Sequence, residues 1–152
     1  MSEPGCATMS AITRTAECAC GRVRVTVQNE PLMVATCHCD FCQKRTGSVF
    51  QVGAYYAGDE KIDVSGETKA YNGLEIDGVG NAAGDSVTYH FCPTCGSTVY
   101  WRKEGENPIL AIAVGNFVDP EFPAPIMEGH LEMRHHWVLP VPGAVPIDRD
   151  VD

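Results

Sequence analysis

The chain has 152 residues, 44% of them hydrophobic and 20% charged, with a formal net charge of −9. That length fits one domain at roughly 150 residues per domain, large enough for a real core, and the composition excludes a disordered chain. The acidic balance argues against a phosphate backbone as partner, so no nucleic acid is expected; no stretch approaches the ~18 uninterrupted apolar residues of a membrane-spanning helix.

In chain order, residues Met1–Thr15 contain Glu3 and Pro4 and no apolar run, and do not read as a secretory signal. The expected compartment is therefore the reducing cytoplasm, where disulfides are rare. Residues 1–15 and 141–152 read as flexible tails around one domain spanning 16–140. Arg22–Val27 (RVRVTV) alternates polar and apolar residues, the signature of a half-buried strand. Val49–Tyr56, Lys61–Val64, Glu67–Tyr71, Ser86–Phe91, Ser97–Arg102 and Ile109–Val114 have the same β-branched and aromatic character. Asn72-Gly73 suits a tight hairpin turn, because glycine accepts positive φ. One short helix is expected at Asp40–Arg45 and a turn near Asp119–Phe122. Gly78–Gly84 (GVGNAAG) has neither the spacing nor the following helix of a dinucleotide loop and reads as a hairpin loop. Short strands at this spacing predict a mainly β fold: a sandwich, an open barrel or a pair of small sheets.

Seven of the eight cysteines fall in three clusters: Cys18 and Cys20, then Cys37, Cys39 and Cys42, then Cys92 and Cys95. Clustered cysteines in a reducing compartment point to metal or to chemistry. Cys18-Ala19-Cys20 and Cys92-Pro93-Thr94-Cys95 each end in glycine, which allows a tight turn with backbone N–H groups aimed at sulfur. Two such turns can close one tetrahedral Cys₄ zinc site, a clamp between residues near 20 and residues near 95; free buried cysteines are the plainer reading. Cys37, Cys39 and Cys42 can converge on a second ion without a local fourth ligand. That is what a catalytic site with an open position looks like. The alternatives are a second structural site completed by Cys6, His38 or a distant residue, and a reversible Cys39–Cys42 disulfide.

Other residues carry less signal. In an extended Cys-His-Cys segment His38 points away from the metal and reads as packing, and His90 reads as structural. His130, His135 and His136 could serve the open centre as acid–base groups or fourth ligand, or form a surface cluster. Phe41, Phe50, Tyr55, Tyr56 and Trp101 suit a pocket wall or a core equally well.

The stretches Cys18–Val27 (CACGRVRVTV), Cys37–Phe50 (CHCDFCQKRTGSVF) and Phe91–Tyr100 (FCPTCGSTVY) agree in order and spacing with one family. Over roughly Ala16 to Trp137 the chain resembles the glutathione-dependent formaldehyde-activating enzymes, a family that includes centromere protein V-like proteins. Val114–Pro125 (VGNFVDPEFPAP) is similar to a turn of that family. The resemblance implies small antiparallel sheets around a structural zinc, similar to the zinc β fold of methionine-R-sulfoxide reductases. It implies two Zn²⁺ per chain, a structural zinc on Cys18, Cys20, Cys92 and Cys95 and a catalytic zinc on Cys37, Cys39 and Cys42. It also implies carbon–sulfur lyase chemistry that interconverts glutathione plus formaldehyde with S-hydroxymethylglutathione. Glutathione is anionic, as is this chain. Lys44 and Arg45 either offset that charge locally or are solvated surface charge.

The expected function is a zinc-dependent carbon–sulfur lyase that adds a small-molecule thiol to a small aldehyde, or reverses the addition. In that expectation the zinc on Cys37, Cys39 and Cys42 acts as a Lewis acid. A non-catalytic zinc-ribbon-like module binding a protein is the rival. A thiol redox enzyme is a third option, but only Cys6 is left over to supply its reactive thiol.

Overall fold

The structure, a computed structural model, describes residues 12–73 and 86–147. The chain runs through β1 (Arg14–Glu17), β2 (Arg24–Val27), β3 (Met33–Cys37), α1 (Asp40–Thr46), β4 (Gln51–Ala57), β5 (Ile62–Ser65) and β6 (Lys69–Asn72). It continues with β7 (Val87–Phe91), β8 (Thr98–Lys103), β9 (Ile109–Ala113), β10 (Met127–Gly129) and β11 (Val145–Ile147). Strands β1-β2-β5 form a three-stranded sheet, and β11-β10-β3-β4-β9-β8-β7-β6 form an eight-stranded one. The fold is mainly β and mainly antiparallel, as expected; β10 pairs in parallel with both β3 and β11.

The alternation in Arg22–Val27 becomes a one-sided strand. Val25 and Val27 are buried while Arg24 is exposed, and the strand starts at Arg24 because Gly21 completes a turn before it. These valines meet Ala54, Tyr56, Leu110 and Ile112 of the large sheet in the main core. Each such fully buried aliphatic side chain contributes about 1.5–3 kcal/mol of hydrophobic stabilisation.

Strand β4 is covered on both faces. Ala54 and Tyr56 join the main core, whereas Tyr55, on the opposite face, packs with Tyr89, Trp101, Ala111 and Phe41 in a second, aromatic cluster. Between β7 and β8 the register slips: His90 faces Tyr100, but Phe91 faces Thr98. Val99 is the extra residue of this bulge, so Val99 and Tyr100 both enter the main core while Trp101 keeps the aromatic face. The bulge stands immediately before Cys92 and so shapes the turn that carries it.

Arg14 anchors the start of the three-stranded sheet. Its Nε and Nη2 donate to the two carboxylate oxygens of Glu30, its Nη1 donates to Asp119, and its guanidinium lies over Phe122. The turn expected near Asp119–Phe122 is present, closed by Phe122 N donating to Asp119 O at 3.1 Å.

Several expectations need correction. Asn72-Gly73 is not a tight hairpin: β6 does pair with β7, but with Asn72 opposite Thr88, so residues 73–87 intervene. Strand β1 begins inside the opening segment read as loose, and β11 lies inside the closing segment read as irregular. The short helix extends one residue further than expected, to Thr46. Gly78–Gly84 and Cys6 lie outside the described residues. No described helix is long and apolar enough to cross a membrane.

Gly53 lets the Trp101 ring cross β4: a Cβ there would stand 2.9 Å from Trp101 Cζ2 and 3.0 Å from Tyr55 Cε2. Both neighbours are rigid rings, so Gly53→Ala is expected to destabilise the fold by about 1–3 kcal/mol through overpacking. Urea unfolding followed by tryptophan emission checks it.

Candidate metal centres

The first centre is built from two turns. After β1, Gly21 N donates to Cys18 O at 2.8 Å, and Val23 N donates to Cys18 Sγ at 3.2 Å. After β7, Gly96 N donates to Cys92 O at 2.9 Å. Gly21 and Gly96 have φ of 72° and 77°, the left-handed conformation that a glycine closing each turn supplies without strain. Ser97 links the turns: its Oγ accepts from Ala19 N at 3.1 Å and lies 3.3 Å from Cys95 Sγ.

All four sulfurs of Cys18, Cys20, Cys92 and Cys95 lie within 4.8 Å of one another. Cys20 Sγ is 3.6 Å from Cys18 Sγ and 3.7 Å from Cys92 Sγ. A tetrahedral zinc with bonds of about 2.3 Å requires sulfurs about 3.8 Å apart. The donor set therefore fits that ion. The thiols also carry the electrostatic conflict a cation would relieve. Ser97 lowers Cys95 to about 5 through hydrogen bonds. Arg22 N–H pulls Cys20 down, but burial and the neighbouring sulfurs win and hold it at about 11.

The second centre gathers Cys37 from the end of β3, Cys39 from the N-cap of α1 and Cys42 from its first turn, again with the three sulfurs within 4.8 Å. Cys39 Sγ accepts from Cys42 N at 3.4 Å. Hydrogen bonds from Cys37 and Cys42 push Cys39 far below the usual thiol range, and the charge of His130 adds to this. The same contacts push Cys42 up, foremost through Cys37, and Cys37 up to about 11, foremost through Cys39. Three sulfurs this close together match a divalent, thiophilic ion. Among the described residues no histidine or carboxylate joins this set.

His38 turns away from the sulfurs, as expected from its position between them. It is 0% exposed, and its Nε2 lies 3.2 Å from Glu128 Oε1. Glu128, itself 3% exposed, uses Oε2 to accept from Val141 N at 3.0 Å. His38 N donates to Gly129 O. The parallel β3–β10 pairing thus fixes the Cys37–Cys39 segment from behind. In front, Gln43 Nε2 donates to His38 O at 2.7 Å and to Met133 O at 3.1 Å, while His135 Nε2 donates to Gln43 Oε1.

His130, His135 and His136, open to either a role at this centre or a surface cluster, have separate surroundings, and His90 is structural as expected. His130 contributes charge to Cys39 and sits 3.3 Å from Glu132; His135 holds Gln43; His136 is exposed; His90 is stacked on Tyr100 in β7. Gln43, Ser97 and Glu128 were not anticipated. Ser97 follows the Cys-x-x-Cys-Gly turn directly, a usable signal, whereas nothing in the sequence around Glu128 marks it as buried.

Beside α1, Arg45, Phe50, Gln51, Thr98, Trp101 and Asn116 border a cavity of about 350 Å³. Burial pushes the Tyr55 and Tyr89 hydroxyls well above the usual phenol range, so the aromatic cluster around it is uncharged.

Glu128→Ala would leave His38 Nε2 and Val141 N without their acceptor, at about 1–3 kcal/mol for the buried His38 and less for the half-buried Val141. Lower thermal stability and weaker metal retention at the second centre are expected, with Glu128→Gln recovering only part, since its amide offers one acceptor oxygen where the carboxylate offers two; calorimetric melts and metal titration check this.

A family model described as glutathione-dependent formaldehyde-activating enzyme matches residues 13–133, a span that holds both centres. No curated protein matches the chain.

Proposed function

The chain belongs to the glutathione-dependent formaldehyde-activating enzyme family, and from that premise we propose that it is a zinc-dependent carbon–sulfur lyase. It joins a small-molecule thiol to a small aldehyde, or reverses that addition. The family description points to glutathione and formaldehyde as the pair. The observation that carries the reading is the three-sulfur set of Cys37, Cys39 and Cys42, which no other described histidine, cysteine or carboxylate completes. In this reading Cys18, Cys20, Cys92 and Cys95 hold a structural zinc, and Cys37, Cys39 and Cys42 hold the catalytic one.

A zinc held by three thiolates supplies Lewis-acid polarisation of a carbonyl oxygen and favours the thiolate form of a thiol. In the forward direction the thiol sulfur bonds to the carbonyl carbon, the carbon–oxygen π bond opens, and the thiol proton ends on that oxygen. The reaction balances without an oxidant or a further reactant.

The chain's own residues supply position. Glu128 and Gly129 hold His38, and with it the turn between Cys37 and Cys39, against β10. Gln43 ties α1 to the 131–135 segment, so the helix carrying Cys42 does not drift from the strand carrying Cys37. Phe50 and Trp101 supply the apolar part of the wall of the neighbouring cavity. We place the protein in the cytoplasm, whose reducing conditions keep the seven clustered thiols free to bind metal.

Metal analysis is expected to find two zinc ions per chain, and formaldehyde is expected to accelerate consumption of glutathione by the holoprotein. Cys39→Ala should drop the metal content to one and abolish turnover with little loss of fold. One zinc in the unsubstituted protein and no thiol consumption would instead favour a non-catalytic protein-binding module. A chelator should act in two stages, because three protein ligands release an ion more readily than four. Activity is expected to vanish first, and circular dichroism to collapse only when the first centre is stripped.

A further inference from the structure

Arg45 is a cation with no carboxylate partner among the described residues. It sits in the last turn of α1, three residues after Cys42. Its guanidinium lies 4.8 Å from the ring centre of Tyr89 and 5.1 Å from that of Trp101. Nη2 donates to Gln51 Oε1. Nε is buried and makes no hydrogen bond, and among the described residues no carboxylate pairs with Arg45. Its neighbour Lys44 behaves as ordinary surface charge, exposed and paired with Asp40.

A guanidinium lying over two adjacent rings is partly screened from solvent yet can still turn its Nη groups toward a planar oxyanion. Arg45 borders the cavity of about 350 Å³, whose polar lining includes Gln51, Thr98 and Asn116. That volume lies in the range of small-ligand pockets. Gln51, which holds the guanidinium, faces Cys37 across the β3–β4 register, so the cavity wall and the three-sulfur centre share a residue pair. In a chain of net charge −9 an anionic ligand needs such a local cation to be retained.

We propose that this cavity is the binding site for a carboxylate of the thiol substrate, with Arg45 as its cation, and that it makes the enzyme select carboxylate-bearing thiols over uncharged ones. The proposal rests on the lyase reading and adds to it the cavity and the residue that recognise the carboxylate. Arg45 acts on binding, since it has no part in forming the carbon–sulfur bond.

The test separates binding from turnover. Zinc-loaded protein is titrated calorimetrically with S-methylglutathione, which has carboxylates but no free thiol, and with its diethyl ester. The acid is expected to bind about 10- to 100-fold more tightly than the ester, the range for a charge-assisted hydrogen bond. Arg45→Met should bind both alike, and Arg45→Lys should keep part of the preference. Equal affinity for acid and ester in the unsubstituted protein, no binding of the acid at millimolar concentration, or an undiminished preference in folded Arg45→Met would each overturn the proposal. In turnover, Arg45→Met should raise KM for 3-mercaptopropionate by a similar factor with kcat little changed, and leave 2-mercaptoethanol unaffected. A general loss with both thiols would indicate a structural role and overturn it. Absence of turnover with every thiol would refute the lyase reading alone, because the acid–ester difference is measured without chemistry.

Discussion

Four sulfur atoms from turns more than seventy residues apart stand within 4.8 Å of one another. Thiols crowded this closely resist common ionisation, and a shared divalent cation turns that resistance into attraction. Much of the architecture serves the approach. Two left-handed glycines close the turns, Ser97 links them, and the Val99 bulge resets the strand that follows. The three-stranded sheet is bound to the large one at this point as well as through the valine-rich core beneath it.

The second centre rests on a different principle. Its three sulfurs are close in sequence, so chain closure costs little entropy. What needs fixing is their direction. A buried histidine–carboxylate contact holds the segment from one side and an amide side chain holds it from the other. Neither His38 nor Gln43 belongs to the sulfur set, yet both limit how far Cys37, Cys39 and Cys42 can move relative to one another. The arrangement matches the general requirement that a reactive constellation be supported by groups whose own positions are locked.

Much of this was legible in the sequence wherever one residue's chemistry decides its role. The two glycine-ended cysteine turns, the short helix after Cys39 and the outward turn of His38 follow from local geometry. The alternation at Val25 and Val27 fixed one face of β2. Legibility failed where tertiary context decides. Met33–Cys37 has no polar alternation because the consecutive residues Val34, Ala35 and Thr36 are all buried, so neither face of the strand meets solvent. Strands β10 and β11 are three residues each and pair in parallel with distant partners, so no hairpin signal announces them. Glu128 reads as a solvated acid until β10 carries it beneath His38. Arg45 and Lys44 are adjacent basic residues in the sequence; only the packing of α1 on Tyr89 and Trp101 makes one of them different.

The chain's two tryptophans have opposite surroundings: Trp101 is 5% exposed and lies against Arg45, whereas Trp137 is 60% exposed and packs on His135. Indole emission shifts to the red with hydration, so the pair forms an internal optical ruler. The blue component belongs to the cavity wall and the red one to the segment after Leu131 that Gln43 ties to α1, and an event at either place would leave its own spectral mark without any label being attached.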